Sequence, residues 1–152
     1  DMHATKYRCL SYMWGDPDEG YEICVNDRTV RVRKNLYDFL RTVSQKFQDL
    51  PLWIDALCVN QNDMNERGHE VKRMSRIYHN AEEVLMWLGV DGDLKALFDC
   101  TKSRLQDVWK GRITGVQRES LLTSIDTFYS HPYWSRTWIT QEILEANRVR
   151  VL

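Results

Sequence analysis

The chain has no long hydrophobic run, no excess of either charge and no closely paired cysteines, and each absence removes a class of protein. Its 21 Lys and Arg stand against 22 Asp and Glu, a formal net charge of −1, so the basic excess that marks most nucleic-acid binders is missing. No apolar stretch approaches the ~20 residues that cross a bilayer, so no membrane partner is expected. The N-terminal DMHATKYR has no signal-peptide core. Cys9, Cys24, Cys58 and Cys100 are widely spaced, with no C-x-x-C pair. Three of them lie in strand-like apolar runs, where a thiol behaves as a small buried hydrophobe. That usage points to a reduced, cytoplasmic protein. His3, His69, His79 and His131 share no ligand spacing with one another or with the cysteines, so no metal is expected. Asp91-Gly92-Asp93 resembles the start of a calcium loop, but Lys102 stands where a bidentate Glu is required. There is no P-loop, no G-x-G-x-x-G after a strand and no G-x-S-x-G elbow, which disfavours NTPases, ordinary dehydrogenases and the usual α/β-hydrolases.

What is present is an ordinary globular composition, 43% hydrophobic and 28% charged over 152 residues, enough for one domain with its own core. The chain does not begin with Met, and we expect an excerpt of a longer protein. Tyr7–Tyr12 reads as a first strand. Glu22–Val25 and Thr29–Val32 flank the turn Asn26-Asp27-Arg28 as a small hairpin. Asn35 is expected to cap a helix whose apolar face is Leu36, Phe39, Leu40, Val43 and Phe47. The run LWIDALCV from Leu52 reads as an interior strand. A helix from Asn62 or Asp63 carries Val71, Met74, Ile77, Tyr78 and Ala81 on its buried stripe, and Val84–Leu88 is the next strand. Further helices are expected over Leu94 to about Val108 and Glu119–Phe128, then a Trp-rich helix over Trp134–Ala146 and a last strand, Val149–Leu152. Strands alternating with helices give an α/β fold, a mostly parallel central sheet with helices on both faces. A small β-hairpin lies near the N-terminus and a helical insertion around 90–128.

Polar residues gather where such strands end, and ligands in open α/β sheets sit at those carboxyl ends. Ser11, Trp14, Gly15 and Asp16 follow the first strand; Gly15 lets backbone approach a ligand and Trp14 offers a ring to stack on. A plain turn with an aromatic lid fits the same residues. Asp55, Asn60, Gln61, Asp63, Glu66 and Arg67 form a second group. Asp55 in an apolar run costs several kcal/mol (roughly) unless it is hydrogen-bonded, so it frames a site or caps a neighbouring turn. Asp63 and Glu66 also read as an imperfect capping box, and Arg67 suits a phosphate or a carboxylate. The third group is Arg136, Trp138, Gln141 and Glu142. On one helix Trp138 and Glu142 share a face, and a carboxylate beside indoles suits an oxocarbenium-like transition state or ribose hydroxyls. An ordinary helix Glu among core tryptophans remains the alternative.

Together these blocks resemble the HET (heterokaryon incompatibility) domain of filamentous fungi. The similarity runs through Leu10–Asp16, Asn35-Leu36, LWIDALCVNQ with Asp63, Glu66 and Arg67, Met74, Ile77-Tyr78, Ala81, Val84, Trp87-Leu88-Gly89, Tyr133, Arg136-Thr137-Trp138 and Gln141-Glu142, nearly the whole chain. It implies a single HET domain over 1–152, a part in self/non-self recognition and programmed cell death, and other domains of a parent protein or an upstream recognition partner. HET domains in turn resemble TIR domains, a TIR/flavodoxin-like arrangement. That second resemblance places on Glu142 the role of the glutamate that supports NAD cleavage in enzymatic TIR domains. NAD is then the substrate, self-association is expected, and Ser11, Trp14, Gly15, Asp16, Asp55, Asn60, Glu66, Arg67, Arg136 and Trp138 are its expected contacts. A non-enzymatic module acting by self-association, or a nucleotide sensor, is the alternative, because TIR-like domains include adaptors. About forty residues (from motif spacing) separate Gly89 from the Trp/Glu segment, a departure from the TIR pattern.

Overall fold

The central apolar runs of this sequence are short and alternate inward and outward, and they pair as parallel strands. A computed structural model describes residues 5–44, 49–90, 92, 94, 97–98, 110–112 and 114–152. The chain divides into two units, Asp1–Gly89 with Ser135–Leu152, and Val90–Trp134.

In the first unit, β1 (Arg8–Tyr12), β4 (Leu52–Trp53), β5 (Glu83–Trp87) and β6 (Val149–Val151) form one sheet in the order β4-β1-β5-β6. All its pairings are parallel. β1 and β5 run in register from Arg8↔Glu83 to Tyr12↔Trp87. Their alternate residues face opposite layers. Leu10, Tyr12, Leu85 and Trp87 pack with Leu36, Phe39 and Val43 of α1 (Lys34–Val43). Cys9 and Val84 pack with Met74, Tyr78 and Ala81, of which Met74 and Tyr78 belong to α3 (Met64–Asn80). Helices therefore cover both faces, as expected for a parallel sheet. Two hydrogen bonds between residues far apart in sequence tie α3 to β1 and the residue before it: Tyr7 Oη donates to Ile77 O at 2.7 Å and Tyr78 Oη to Leu10 O at 3.0 Å. The hairpin, β2 (Gly20–Val25) and β3 (Arg28–Arg33), turns through Asn26 and Asp27 at φ of 50° and 60°, the left-handed pair that a two-residue hairpin turn requires.

In the second unit the helix α4 (Gly115–Tyr129) extends the expected Glu119–Phe128 segment at both ends. Phe128 meets Trp134 edge-on at 5.0 Å, and Trp134 Nε1 donates to Phe128 O at 2.6 Å. Leu94, Leu97 and Phe98 are helical. The rest of the helix expected to about Val108, with Cys100, lies outside the described residues, as does Phe47.

Four expectations are corrected. The run from Leu52 is not an interior strand: β4 is two residues at the sheet edge, and Asp55–Cys58 forms a short helix, α2. An unbroken apolar run has no periodicity with which to tell strand from helix. Here Leu57 and Cys58 N–H both close onto Ile54 O. Asn35 is not the cap of α1; Arg33 holds that position without a side-chain bond. The Trp134–Ala146 helix is broken: Pro132–Ser135 is a 3-10 turn, and α5 is only Ile139–Leu144, with Trp138 as its N-cap. Trp134 and Trp138 therefore do not stack along one helix. Finally, Cys24 and Cys58 are exposed, and only Cys9 among the described cysteines is buried.

Candidate functional site

Parallel strands deliver their following loops to one edge, and here the segments after β1 and β4 meet α3 and α5 around a cleft. It encloses about 590 Å³, and its walls include Trp14, Trp53, Asp55, Arg67, Arg136, Trp138 and Glu142, with Gln61, Glu70 and Met74.

Glu142 sits in the first turn of α5 and is 1% exposed. Arg136 grips it with both arms of its guanidinium, Nη1 to Oε2 at 2.8 Å and Nη2 to Oε1 at 2.6 Å. Ser11 Oγ, on β1, donates to Oε2 as well, and Arg136 Nη1 donates to Ser11 Oγ at 3.1 Å. The fork geometry suits a carboxylate. Ser11 is fully buried because the even-numbered pleat of β1 faces α1, while Cys9 and Ser11 face the opposite layer. The triad thus joins β1, the turn after the 3-10 segment, and α5. Oε2 accepts two donors and Oε1 one, which leaves Oε1 a lone pair for a further donor.

Asp55 is held differently. Its Oδ2 accepts from Trp14 Nε1 at 2.9 Å and its Oδ1 from Ala56 N–H at 2.7 Å. Both donors are neutral, and Asp55 makes no salt bridge among the described residues. Burial pushes its carboxyl above the ordinary value, against the pull of those two hydrogen bonds, and the charge of Glu142 adds to the rise. Tyr12 and Tyr78 nearby are likewise pushed up, chiefly by burial. Gln61 Nε2 donates to Asp55 O at 3.1 Å and Val59 O at 3.3 Å, closing the turn that presents Asp55.

The loop that carries Trp14 is fixed from beneath. Asn35 Nδ2 donates to Met13 O at 2.6 Å while its Oδ1 accepts from Trp87 Nε1 at 2.8 Å. Gly15 turns at φ +76° and Gly89 at +96°, and a Cβ at either would lie 3.6 Å from the Asn35 side chain. Arg33 donates to Gly15 O at 2.7 Å and lies over the Trp14 ring at 5.2 Å.

Of the residues singled out from sequence, Trp14, Asp55, Gln61, Arg67, Arg136, Trp138 and Glu142 line the cleft, and Ser11 lies beneath Glu142. Gly15, Asp16, Asn60, Asp63, Glu66 and Gln141 are not on its walls. Asp16 closes a local turn by accepting from Asp18 N–H at 2.9 Å. Asp63 caps α3, accepting from Asn65 and Glu66 N–H, and Glu66 reaches back to Asn60 N–H at 3.0 Å. The capping reading of that pair holds, displaced from the usual box by three residues. Trp53, Glu70, Val71 and Met74 were not anticipated as lining residues; the spacing of Arg67, Glu70, Val71 and Met74 along α3 was the available signal. Asn35 was missed as the brace of the Trp14 loop, and its Asn-Leu context offers only a capping signal. Among the described residues no group of three or more His, Cys, Asp or Glu is placed to hold a metal, and no helix is long and apolar enough to cross a membrane.

An all-parallel sheet with helices on both faces and an indole-lined cleft carrying charged side chains at the carboxyl ends of its strands defines an α/β domain built around a site. The chain belongs to the heterokaryon incompatibility family: the family model described as "Heterokaryon incompatibility protein (HET)" matches residues 7–142. It is similar to "Heterokaryon incompatibility protein 6, OR allele" of Neurospora crassa, 35% identical over 96 aligned residues, covering 55% of this chain and 14% of that protein. The match thus spans a small part of its curated relative's length. No solved structure matches the chain.

Proposed function

We propose that this domain is a cytoplasmic cell-death effector in heterokaryon incompatibility and that it cleaves the nicotinamide–ribose bond of NAD. The supporting observation is the convergence of Glu142, Arg67, Trp138 and Asp55 on one cleft at the sheet's carboxyl edge. NAD carries a cationic ring and an anionic diphosphate. Neither Asp55 nor Arg67 on the cleft walls makes a salt bridge among the described residues. The TIR resemblance assigns Glu142 the ribose that bears the scissile bond. In the step itself the C1′–N bond breaks, its electron pair stays on the nicotinamide nitrogen, and positive charge develops over C1′ and the ring oxygen. Glu142 stabilises that charge. Water adds to C1′ and releases a proton to solvent, giving ADP-ribose and nicotinamide. The leaving group departs neutral, so no general acid is required. Arg136 and Ser11 orient the carboxylate, and Arg67 receives phosphate.

A second reading has its own observation. Both Glu142 oxygens are engaged within the protein, as in a fold-organising ion pair, and Trp138 and Leu144 are 41% and 78% exposed on the same short helical segment. On this reading the domain signals by self-association through such surface.

Nicotinamide release from NAD decides between them, measured with concentrated protein free and fused to an oligomerising tag. Glu142→Gln is the proper variant, because it keeps shape and leaves one acceptor for Arg136. Release that falls 10²–10³-fold (roughly) in a variant with unchanged circular dichroism supports hydrolysis by Glu142. No release in either format from folded protein assigns the domain to assembly, and an unchanged rate in the variant removes Glu142 from the chemistry.

A further inference from the structure

The charges around the cleft do not balance locally. Glu142 is paired with Arg136 and Glu70 with Arg73 at 2.7 Å. Two groups on the cleft walls remain without a salt bridge among the described residues, Asp55 and Arg67. Arg67 is exposed, its guanidinium 3.0 Å from Met64 Sδ, and water solvates it. Asp55 is half-buried and less open to water. It lies on a largely apolar wall beside Trp14, its side-chain partners among the described residues are two neutral N–H groups, and the neighbouring Glu142 adds repulsion that the charge of Arg136 offsets in part. A half-buried carboxylate whose direct hydrogen-bond donors are neutral is electrostatically incomplete. A cation seated beside it restores what burial takes away, and indoles favour that cation being a flat ring. One indole is already engaged: Arg33 lies over Trp14, which also borders a smaller cavity of about 150 Å³ shared with Arg33. Trp53 and Trp138 are the remaining indoles of the cleft.

We propose that the Asp55 end of the cleft is a subsite for a cationic aromatic ring of the N-alkylpyridinium class, and that Asp55 makes it select the charged ring over a neutral one of the same shape. The subsite takes its natural ligand from the proposed function, where it distinguishes oxidised from reduced nicotinamide, but ring binding is measurable without any turnover. Asp55 here contacts ligand; Trp14 and Gln61 act through it by fixing its carboxylate and backbone.

The test is tryptophan fluorescence quenching by 1-methylnicotinamide, a cation, and by nicotinamide, its neutral counterpart, on the wild-type protein and on Asp55→Asn. We expect the cation to bind about tenfold more tightly to wild type, and the two rings to bind alike in the variant. Equal affinity for the two rings, or quenching by neither with folded wild-type protein, overturns the subsite, as does a preference that survives in Asp55→Asn. A variant that fails to fold is replaced by carbon NMR on wild type. The Asp55 carboxyl resonance then moves on titration with 1-methylnicotinamide and stays still with nicotinamide; an unmoved resonance overturns the subsite. NAD turnover is scored separately. Turnover without ring preference leaves the hydrolase reading standing and removes the subsite, and ring preference without turnover does the reverse.

Discussion

Cys9 and Cys58 come from apolar runs that look alike in sequence, yet one is buried and the other exposed. Cys9 lies on the α3-facing side of β1, and burial, with the nearby Cys58 and Glu142 adding, pushes its thiol up to about 12. The thiolate is the nucleophile, so Cys9 is inert in the native protein. Alkylation with iodoacetamide followed by peptide mapping should label Cys24 and Cys58 on the folded protein and Cys9 only after denaturation. Asp55 makes the second residue-scale case. Its folded carboxyl binds a proton more tightly than the unfolded one, because burial outweighs the Trp14 and Ala56 hydrogen bonds. Its contribution to stability is therefore full below the ordinary value of 3.8 and is lost as pH rises through the folded value. Asn at this position does not titrate. Urea midpoints at about pH 4 and about pH 7 should show wild type losing stability relative to Asp55→Asn on going to the higher pH. A pH-independent difference would mean that the carboxylate is already compensated.

At the scale of elements, what was legible depended on whether a period or a cap decided the outcome. The helix face Leu36, Phe39, Val43, the hairpin with its Asn-Asp turn, the strand β5 and the Asp63 cap each carry a local signature, and each forms, with strand ends shifted by one or two residues from those read. The sheet with helices on both faces followed from their alternation. What stayed hidden was decided by partners far away in sequence. Asn35 has a capping context but bonds Met13 and Trp87, and LWIDALCV becomes a two-residue edge strand followed by a turn whose Asp55 meets Trp14, 41 positions away. Trp138 and Glu142 were rightly placed one turn apart, while Arg136, expected among the NAD contacts, pairs with Glu142. The cap on α3 gives the element-scale prediction. Asp63 accepts from two backbone N–H groups at the start of a helix whose mid-portion walls the cleft. Asp63→Ala should cost about 1 kcal/mol, read from the denaturation midpoint, and Asp63→Ser should recover most of it. Equal losses in both variants would show that the carboxylate acts through something other than capping.

Across the whole molecule, the central strands β1 and β5 are stitched at both ends by ions from opposite parts of the chain. At the carboxyl ends Ser11 joins Glu142 and Arg136. At the amino ends Glu83, 4% exposed, accepts from Arg8 Nε at 3.2 Å and Arg150 Nε at 2.8 Å, and Arg8 also holds Asp49 at 2.7 Å. Arg8 and Arg150 lie on the two strands that flank β5, so Glu83 joins an early and a late strand across one sheet. Its neighbour Glu82 pairs with Lys6 at 2.6 Å, but both side chains are well exposed, and solvent screens such a pair. Adjacent glutamates, each in an ion pair, should therefore behave differently. Glu83→Ala removes two charged hydrogen bonds at a buried site, leaving Arg8 with Asp49 alone and Arg150 half exposed, and should cost about 1.5–3 kcal/mol, whereas Glu82→Ala should leave the chemical denaturation midpoint unchanged. Glu142→Ala should fall with Glu83→Ala, because Arg136 is only 17% exposed at its side chain. Matching small losses at all three positions would mean that the sheet is held by its apolar faces alone. A large loss at Glu83 and Glu142 only would show that the ends of the strands, one of them the floor of the cleft, are fixed by charge.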